Sequence, residues 1–279
     1  MFRQRALVSL VLTPLAFWII YIGGFPFFAI LTVLLGIAGW EFARLFQAGG
    51  FRPAGFLIVA GVVAILLGRY FGILRGEPFA NDALVFTAIL FLVMVFYIIA
   101  FERGSLRAGT DMLITLGGIF YIGFLGSFLP LVHALPDGIW WMMVTLPAVW
   151  WVDSGAYLIG RQWGGRFIHR PFSPRLSPKK TWEGFIGGIL AGTIVNALVC
   201  LGLQALGTPI DPTPLQSGIL GFTLAVLTPL GDLGKSLFKR QVGIKDSGTL
   251  IPGHGGALDR VDTWLWAGVI GYYLITRFF

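Results

Sequence analysis

Three stretches in the second half of the chain hold side chains able to do chemistry, each set in an otherwise apolar sequence. In LAVLTPLGDLGKSLFKR, Asp232, Lys235, Ser236 and Lys239 recur at offsets of zero, three, four and seven. On a helix those offsets fall on one stripe, so a carboxylate, a hydroxyl and two ammonium groups share a face. An ion pair between Asp232 and Lys235, with lysines reaching toward the membrane surface, is the plainer reading. The continuation, IKDSGTLIPGHGGALDRVD, argues for more, because it adds Lys245, Asp246, His254, Asp259, Arg260 and Asp262 in a glycine-rich loop. Hydrated Mg²⁺ takes one or two protein carboxylates together with substrate phosphates. Asp232 and Asp259, at two helix ends, would supply them. Gly253, Gly255 and Gly256 permit the close backbone approach of a phosphate cradle; a flexible interhelical turn is the alternative.

The third stretch is HRPFSPRLSPKKTWEG, where Ser177, Lys179 and Lys180 precede an apolar helix. Backbone N–H groups at the helix start and two ammonium groups would converge where an anion could sit. A basic loop that only records topology explains the same residues. Asp153, in WWMMVTLPAVWWVDSGAYLIG, is a further intramembrane carboxylate sharing a helical face with Tyr157 and Gly160. An ionised Asp at a helix centre costs about 2.5 to 3.5 kcal/mol on insertion scales, so it either pairs with Arg161 or Arg166 or lines a polar cavity. Carboxylates and cations gathered in this way suit a phosphorylated substrate with a divalent metal.

The elements that must position these residues follow from composition. Of 279 residues, 56% are hydrophobic and 12% charged, with 25 Phe and 10 Trp. Soluble domains carry about 25% charged residues, so a soluble globule is excluded, as is a disordered chain. A helix needs about 20 apolar residues to cross a bilayer. Nine stretches qualify: 6–22, 26–46, 54–72, 82–100, 111–132, 139–160, 183–206, 215–238 and 261–278. None alternates as barrel strands do, so the expectation is an all-α, polytopic integral membrane protein of about nine transmembrane helices. Residues 1–135 form an N-terminal scaffold of about five helices and 136–279 a catalytic region of about four with two active-site loops. The first stretch follows Arg3 and Arg5 but lacks a cleavage site, and is read as an uncleaved helix. The lone cysteine, Cys200, lies in an apolar run and reads as a small buried hydrophobe.

With the N-terminus in the cytoplasm, 17 of the 20 Lys and Arg fall on the inner side and only Arg69, Arg75 and Arg277 on the outer. That asymmetry is the positive-inside pattern, so the basic charge of +7 is topological and no nucleic-acid partner is expected. Replacing Arg69 or Arg75 is expected to change activity little.

SLFKRQVGIKDSGTLIPGHGGALDRVD, residues 236–262, resembles the signature of the phosphatidate cytidylyltransferases, or CDP-diacylglycerol synthases. The Ser, the Lys-Arg pair, the Lys-Asp pair, the Pro, the His-Gly-Gly and the closing Asp-Arg-x-Asp stand at that family's spacings. DSGAYLIGR (153–161) and SPKKTWEG (177–184) resemble further family segments in the same order. The likeness covers roughly 150–265 and is only topological before that; Ala257 departs from it, standing where the family usually has a larger aliphatic residue.

The loop charges put the site on the cytoplasmic side, and an inner membrane is the expected location. The resemblance implies cytidylyl transfer from CTP to phosphatidic acid. It implies Mg²⁺ on Asp232 and Asp259, with K⁺ as a second cation. Lys239, Arg240, Lys245 and Arg260 would hold phosphate oxygens, with Lys179 and Lys180 gripping from the facing loop. Asp246 and Asp262 would position these cations or bind metal through water, and His254 would hold phosphate or organise its loop. Ser236 and Ser177 would donate hydrogen bonds, Asp153 would line the lipid-side entrance, and a homodimer is a further expectation. A CTP-dependent polyprenol kinase would want similar residues but release CDP rather than pyrophosphate. A secondary transporter would show an inverted repeat and a midplane site.

Overall fold

The computed structural model describes residues 14–208, 210–244 and 256–279. Their regular elements are helices, with no strand among the described residues beyond one antiparallel bridge between Ser173 and Ser177. Residues 14–22 form α1, the described part of the first expected span. Gly23 separates it from the next helix, which Gly24 opens, and the two have φ of 62° and 53°. Those left-handed angles are open to glycine without strain. There follow α2 (Gly24–Ala48), α3 (Gly55–Leu74), α4 (Asp82–Glu102) and α5 (Ala108–His133). Next come α6 (Gly138–Trp163), α7 (Trp182–Ala205), α8 (Pro214–Leu227), α9 (Pro229–Gln241) and α10 (Leu258–Phe278).

Among the described residues, seven helices are long and apolar enough to cross a membrane by length and composition, with α8 and α9 taken together as one. The fold is thus the all-α, polytopic membrane architecture that the hydropathy predicts. Pro229 opens α9 just after Thr228, whose hydroxyl donates back to the Leu224 carbonyl at 2.7 Å. Proline is tolerated there because the first N–H groups of a helix have no intrahelical acceptor.

Two compact units make up the chain, and neither is continuous in sequence. One takes residues up to Leu131 together with Phe238–Leu265; the other takes Val132–Leu237 and Trp266–Phe279.

In the first unit, polar contacts are buried in three places. The carboxylate of Asp111 accepts from the Arg52 amide at 2.8 Å, and the Tyr97 hydroxyl accepts from the Ala54 amide at 2.8 Å. Tyr97 also meets the Thr115 hydroxyl at 2.7 Å. Together these give the α2–α3 connection partners it could not find in lipid. Within α5 the stretch Ile119–Phe124 is π-helical, and its Tyr121 ring packs edge-on against Phe238 with centroids 5.4 Å apart. Phe238 also meets Phe42 at 5.5 Å, so the tail of α9 is held by an aromatic cluster.

Arg69 is the third place. The topological count treats it as an outer-face charge, yet its side chain is fully buried. Its guanidinium donates to the Pro78 carbonyl at 2.7 Å and to Asp82 at 3.0 Å. It also stacks 4.3 Å from the centroid of Phe79. The planar fork of Arg suits such a site, and the pairing is what makes a buried charge tolerable.

The second unit is built on close helix approach. A Cβ on Gly221 of α8 would overlap the Gly192 carbonyl of α7, and one on Gly155 of α6 would overlap Ala191. Small residues at such crossings let backbones touch, which drives association where lipid offers no hydrophobic gain. Asn196 secures the α7–α8 crossing by donating to the Ser217 carbonyl at 2.8 Å.

Arg69 therefore separates from Arg75, which is exposed. Arg69→Ala should lower stability by about 3 kcal/mol by stranding Asp82, whereas Arg75→Ala should not. Thermal unfolding of the detergent-purified proteins is the check.

Candidate functional site

Helix α9 carries the predicted stripe, and the two units divide it. In the second unit, Asp232 sits in the first turn of α9 with its side chain 33% exposed. Two ammonium groups reach it: Lys180 at 2.6 Å and Lys235, one turn on, at 3.4 Å. Lys235 is nearly buried, so the i to i+3 pair of the plainer reading is present. It is joined by a lysine from a loop fifty residues away.

That loop is ordered by a carboxylate the motif reading did not single out. Glu183, in the first turn of α7, is buried and accepts three backbone N–H groups: Ile168 at 2.8 Å, Phe167 at 3.0 Å and Gly165 at 3.2 Å. Thr181 caps α7, its hydroxyl accepting from the Gly184 amide at 3.1 Å. Further along, Phe172 donates its amide to the Lys180 carbonyl at 2.8 Å, and the Lys180 amide donates to the Ser177 carbonyl at 3.0 Å. The Phe172 ring stacks on Phe185 with centroids 4.9 Å apart. Lys180 is thereby delivered to Asp232 by a fixed backbone. Ser177 lies half-buried within this turn and Lys179 points to the exterior.

In the first unit, Asp259 opens α10 and pairs with Lys239 at 2.7 Å; the Gly256 amide also points to it at 3.4 Å. The start of α10 is anchored by Glu41, a buried residue of α2 whose carboxylate accepts from the Leu258 amide at 2.8 Å. A helix N-terminus leaves N–H groups without acceptors and carries partial positive charge, so an anion there is favourable. A Cβ on Gly256 would overlap the Glu41 carboxylate. Close approach to Glu41 therefore requires glycine at this position.

Glu41 was legible as a signal, since a carboxylate in the apolar run GIAGWEFARLF breaks the same rule that singled out Asp153.

Of the remaining candidates, Arg260 and Arg240 are exposed and Ser236 is half-buried. Asp262 is buried, with one oxygen accepting from the Thr263 amide at 2.8 Å. Asp153 is exposed on α6, and the neighbouring Arg161 donates to the Tyr157 hydroxyl at 3.3 Å. Lys245, Asp246 and His254 lie outside the described residues.

No cluster of three or more His, Cys, Asp or Glu side chains is present among the described residues. Mg²⁺ keeps several waters and takes only one or two protein carboxylates. Asp232 and Asp259 are partly exposed oxygen donors of that kind, each at present paired with lysine.

Comparison with known proteins bears on the whole chain. The sequence profile of the cytidylyltransferase family matches residues 3–278. The phosphatidate cytidylyltransferase of Synechocystis sp. is 30% identical over 98% of this chain and 96% of its own length. That of Brucella suis is 32% identical over 97% and 92%, and that of Bacillus subtilis 27% identical over 99% and 98%.

Removing the Glu41 carboxylate should loosen the first turn of α10. Glu41→Leu should cost about 2 kcal/mol, while Glu41→Gln, which keeps an acceptor, should cost less. Faster deuterium uptake in a peptide covering 256–265, alongside a lower unfolding temperature, would report it.

Proposed function

We infer the activity from one premise: the chain belongs to the cytidylyltransferase family. It is a phosphatidate cytidylyltransferase, an enzyme that transfers a cytidylyl group from CTP to phosphatidate to give CDP-diacylglycerol and pyrophosphate. The observation that carries this is the family match across the whole chain together with relatives of that name covered almost end to end.

In the reaction a phosphate oxygen of the lipid attacks the α-phosphorus of CTP, the bond to the β-phosphate breaks, and pyrophosphate leaves. The nucleophile is already ionised, so no strong base is required. What the chain must do is neutralise charge and hold two anions together.

Lys180, Lys235 and Lys239 are suited to that work, because each is already placed against a carboxylate. Mg²⁺, held by Asp232 and Asp259, would supply charge neutralisation at the phosphates. Lysines relieved of these carboxylates would turn to phosphate oxygens, with Lys179, Arg240, Lys245 and Arg260 adding further contacts and Ser177 and Ser236 donating hydrogen bonds. Asp246 and Asp262 would orient those cations, His254 would hold phosphate or order its loop, and K⁺ would sit beside the Mg²⁺.

The two substrates differ in phase, which is why the enzyme is a membrane protein. The lipid is held in the bilayer by about 0.8 kcal/mol for each buried CH₂, and CTP is confined to water. A charged site at helix ends serves both. The basic loops between the spans support a site on the cytoplasmic side of an inner membrane, where Asp153 would line the path of the lipid. Glycine-lined helix faces would serve a homodimer.

With CTP labelled on the α-phosphorus, label should enter the lipid and free pyrophosphate should appear in equal amount; release of CDP would indicate a kinase. Asp232→Asn and Asp259→Asn should each lower kcat by about a hundredfold or more, equivalent to about 2.7 kcal/mol, without loss of membrane insertion. A chelator should do the same to the wild type. Activity close to wild type in either variant would remove that residue from the metal site.

A further inference from the structure

The loop between α6 and α7 presents apolar side chains outward at considerable structural expense. Trp163 ends α6 and Trp182 begins α7, with 44% and 38% of their surfaces exposed. Indoles at both span ends mark the headgroup level, so the loop they enclose lies at the bilayer surface. Within it Phe167 is 68% and Ile168 40% exposed. Both are held there by the buried Glu183 carboxylate, which accepts the Phe167 and Ile168 amides at 3.0 and 2.8 Å. A tether of charge-assisted hydrogen bonds fixes this backbone, and fixes it with two large apolar groups facing out.

The exposed charge around them has one sign, the Glu183 carboxylate being buried beneath the backbone it holds. Arg166 and Arg170 flank the apolar pair and are exposed, and residues 161–182 contain no Asp or Glu. Such a surface opposes a second copy of itself, because a two-fold interface would set the same positive patch against itself. It is also unsuited to a nucleotide phosphate at the backbone, since the amides of Gly165, Phe167 and Ile168 already donate to Glu183. Apolar side chains beside arginines at headgroup depth match an anionic lipid surface.

We propose that residues 163–170 form a rigid interfacial clasp that seats on the anionic lipid headgroups of the leaflet in which α6 ends. Phe167 and Ile168 insert beneath the phosphates, and Arg166 and Arg170 pair at their level. The clasp binds lipid by charge and not by substrate identity, so it holds whether or not the cytidylyl-transfer reading does.

The test uses the full chain in lipid nanodiscs. Phe167→Cys in a Cys200→Ser background is labelled with an environment-sensitive nitrobenzoxadiazole probe, and Ile168→Cys serves as a second labelling position should the first fold poorly. Emission should rise severalfold when phosphatidylcholine discs are replaced by discs with a third phosphatidylglycerol. Quenching by headgroup-proximal spin-labelled lipid should rise with it, and high salt or the added pair Arg166→Gln and Arg170→Gln should cancel both changes. Emission equal in the two lipids would overturn the proposal. So would emission that follows the number of protein copies per disc, which would assign the face to a second copy instead.

Discussion

A carboxylate among membrane-spanning helices has no water to fall back on, and it survives there only beside a donor. Much of the described structure can be read as the ways this chain meets that requirement. Asp82 has the guanidinium of Arg69, Asp111 the amide of Arg52, Glu41 the amide of Leu258, and Glu183 three amides of one loop. Asp232 and Asp259 have lysines. In the first group the partner is a backbone amide or a side chain locked by packing, and the pair ties one helix or loop to another. The pairs in the second group end in flexible ammonium groups.

This division bears on how the chain is assembled. The start of α10, which carries Asp259, and the tail of α9 are positioned by residues that carry no chemistry of their own. Glu41 fixes the first turn of α10 from α2, and the Phe238 ring fixes the tail of α9 among Phe42 and Tyr121. In the other unit Glu183 and Thr181 shape the loop that ends in Lys180. Residues up to Leu131, which look like inert scaffold in sequence, supply the anchor for α10.

Hydropathy made the architecture legible: the described helices α2 to α10 lie where the expected stretches do, with edges displaced by three residues or fewer when α8 and α9 are read as one, although α10 is not among the seven long and apolar enough to span. Apolar runs of bilayer length have few alternatives. The break at Thr228 and the π-helical stretch in α5 were not legible, because neither changes the hydropathy that defines a span. For the site, offsets along α9 gave the pairing of Asp232 with Lys235, but not its pairing with Lys180, which depends on a loop geometry set by Glu183. Arg69 shows the limit of counting charges by side: its burial depends on Asp82, Pro78 and Phe79, and no hydropathy average reveals that arrangement.

The distinction between the two kinds of carboxylate has a chemical consequence. A carboxylate satisfied by backbone amides cannot exchange its partners without releasing the backbone it holds, so Glu41, which holds a helix start, and Glu183, which holds a loop, are poor metal ligands despite their charge. A carboxylate held by lysine can, because the ammonium group is on a flexible stem and a phosphate oxygen replaces what it gives up. Under the proposed reaction both partners of such a pair gain by parting when nucleotide and metal arrive together: the carboxylate meets a divalent cation and the ammonium a phosphate. Neither component alone offers that exchange, since metal without phosphate leaves the lysines stranded beside new positive charge. Phosphate without metal leaves the carboxylates facing like charge. The lysine contacts at Asp232 and Asp259 would thus keep both carboxylates compensated in the resting protein and favour the joint arrival of metal and CTP over either one separately.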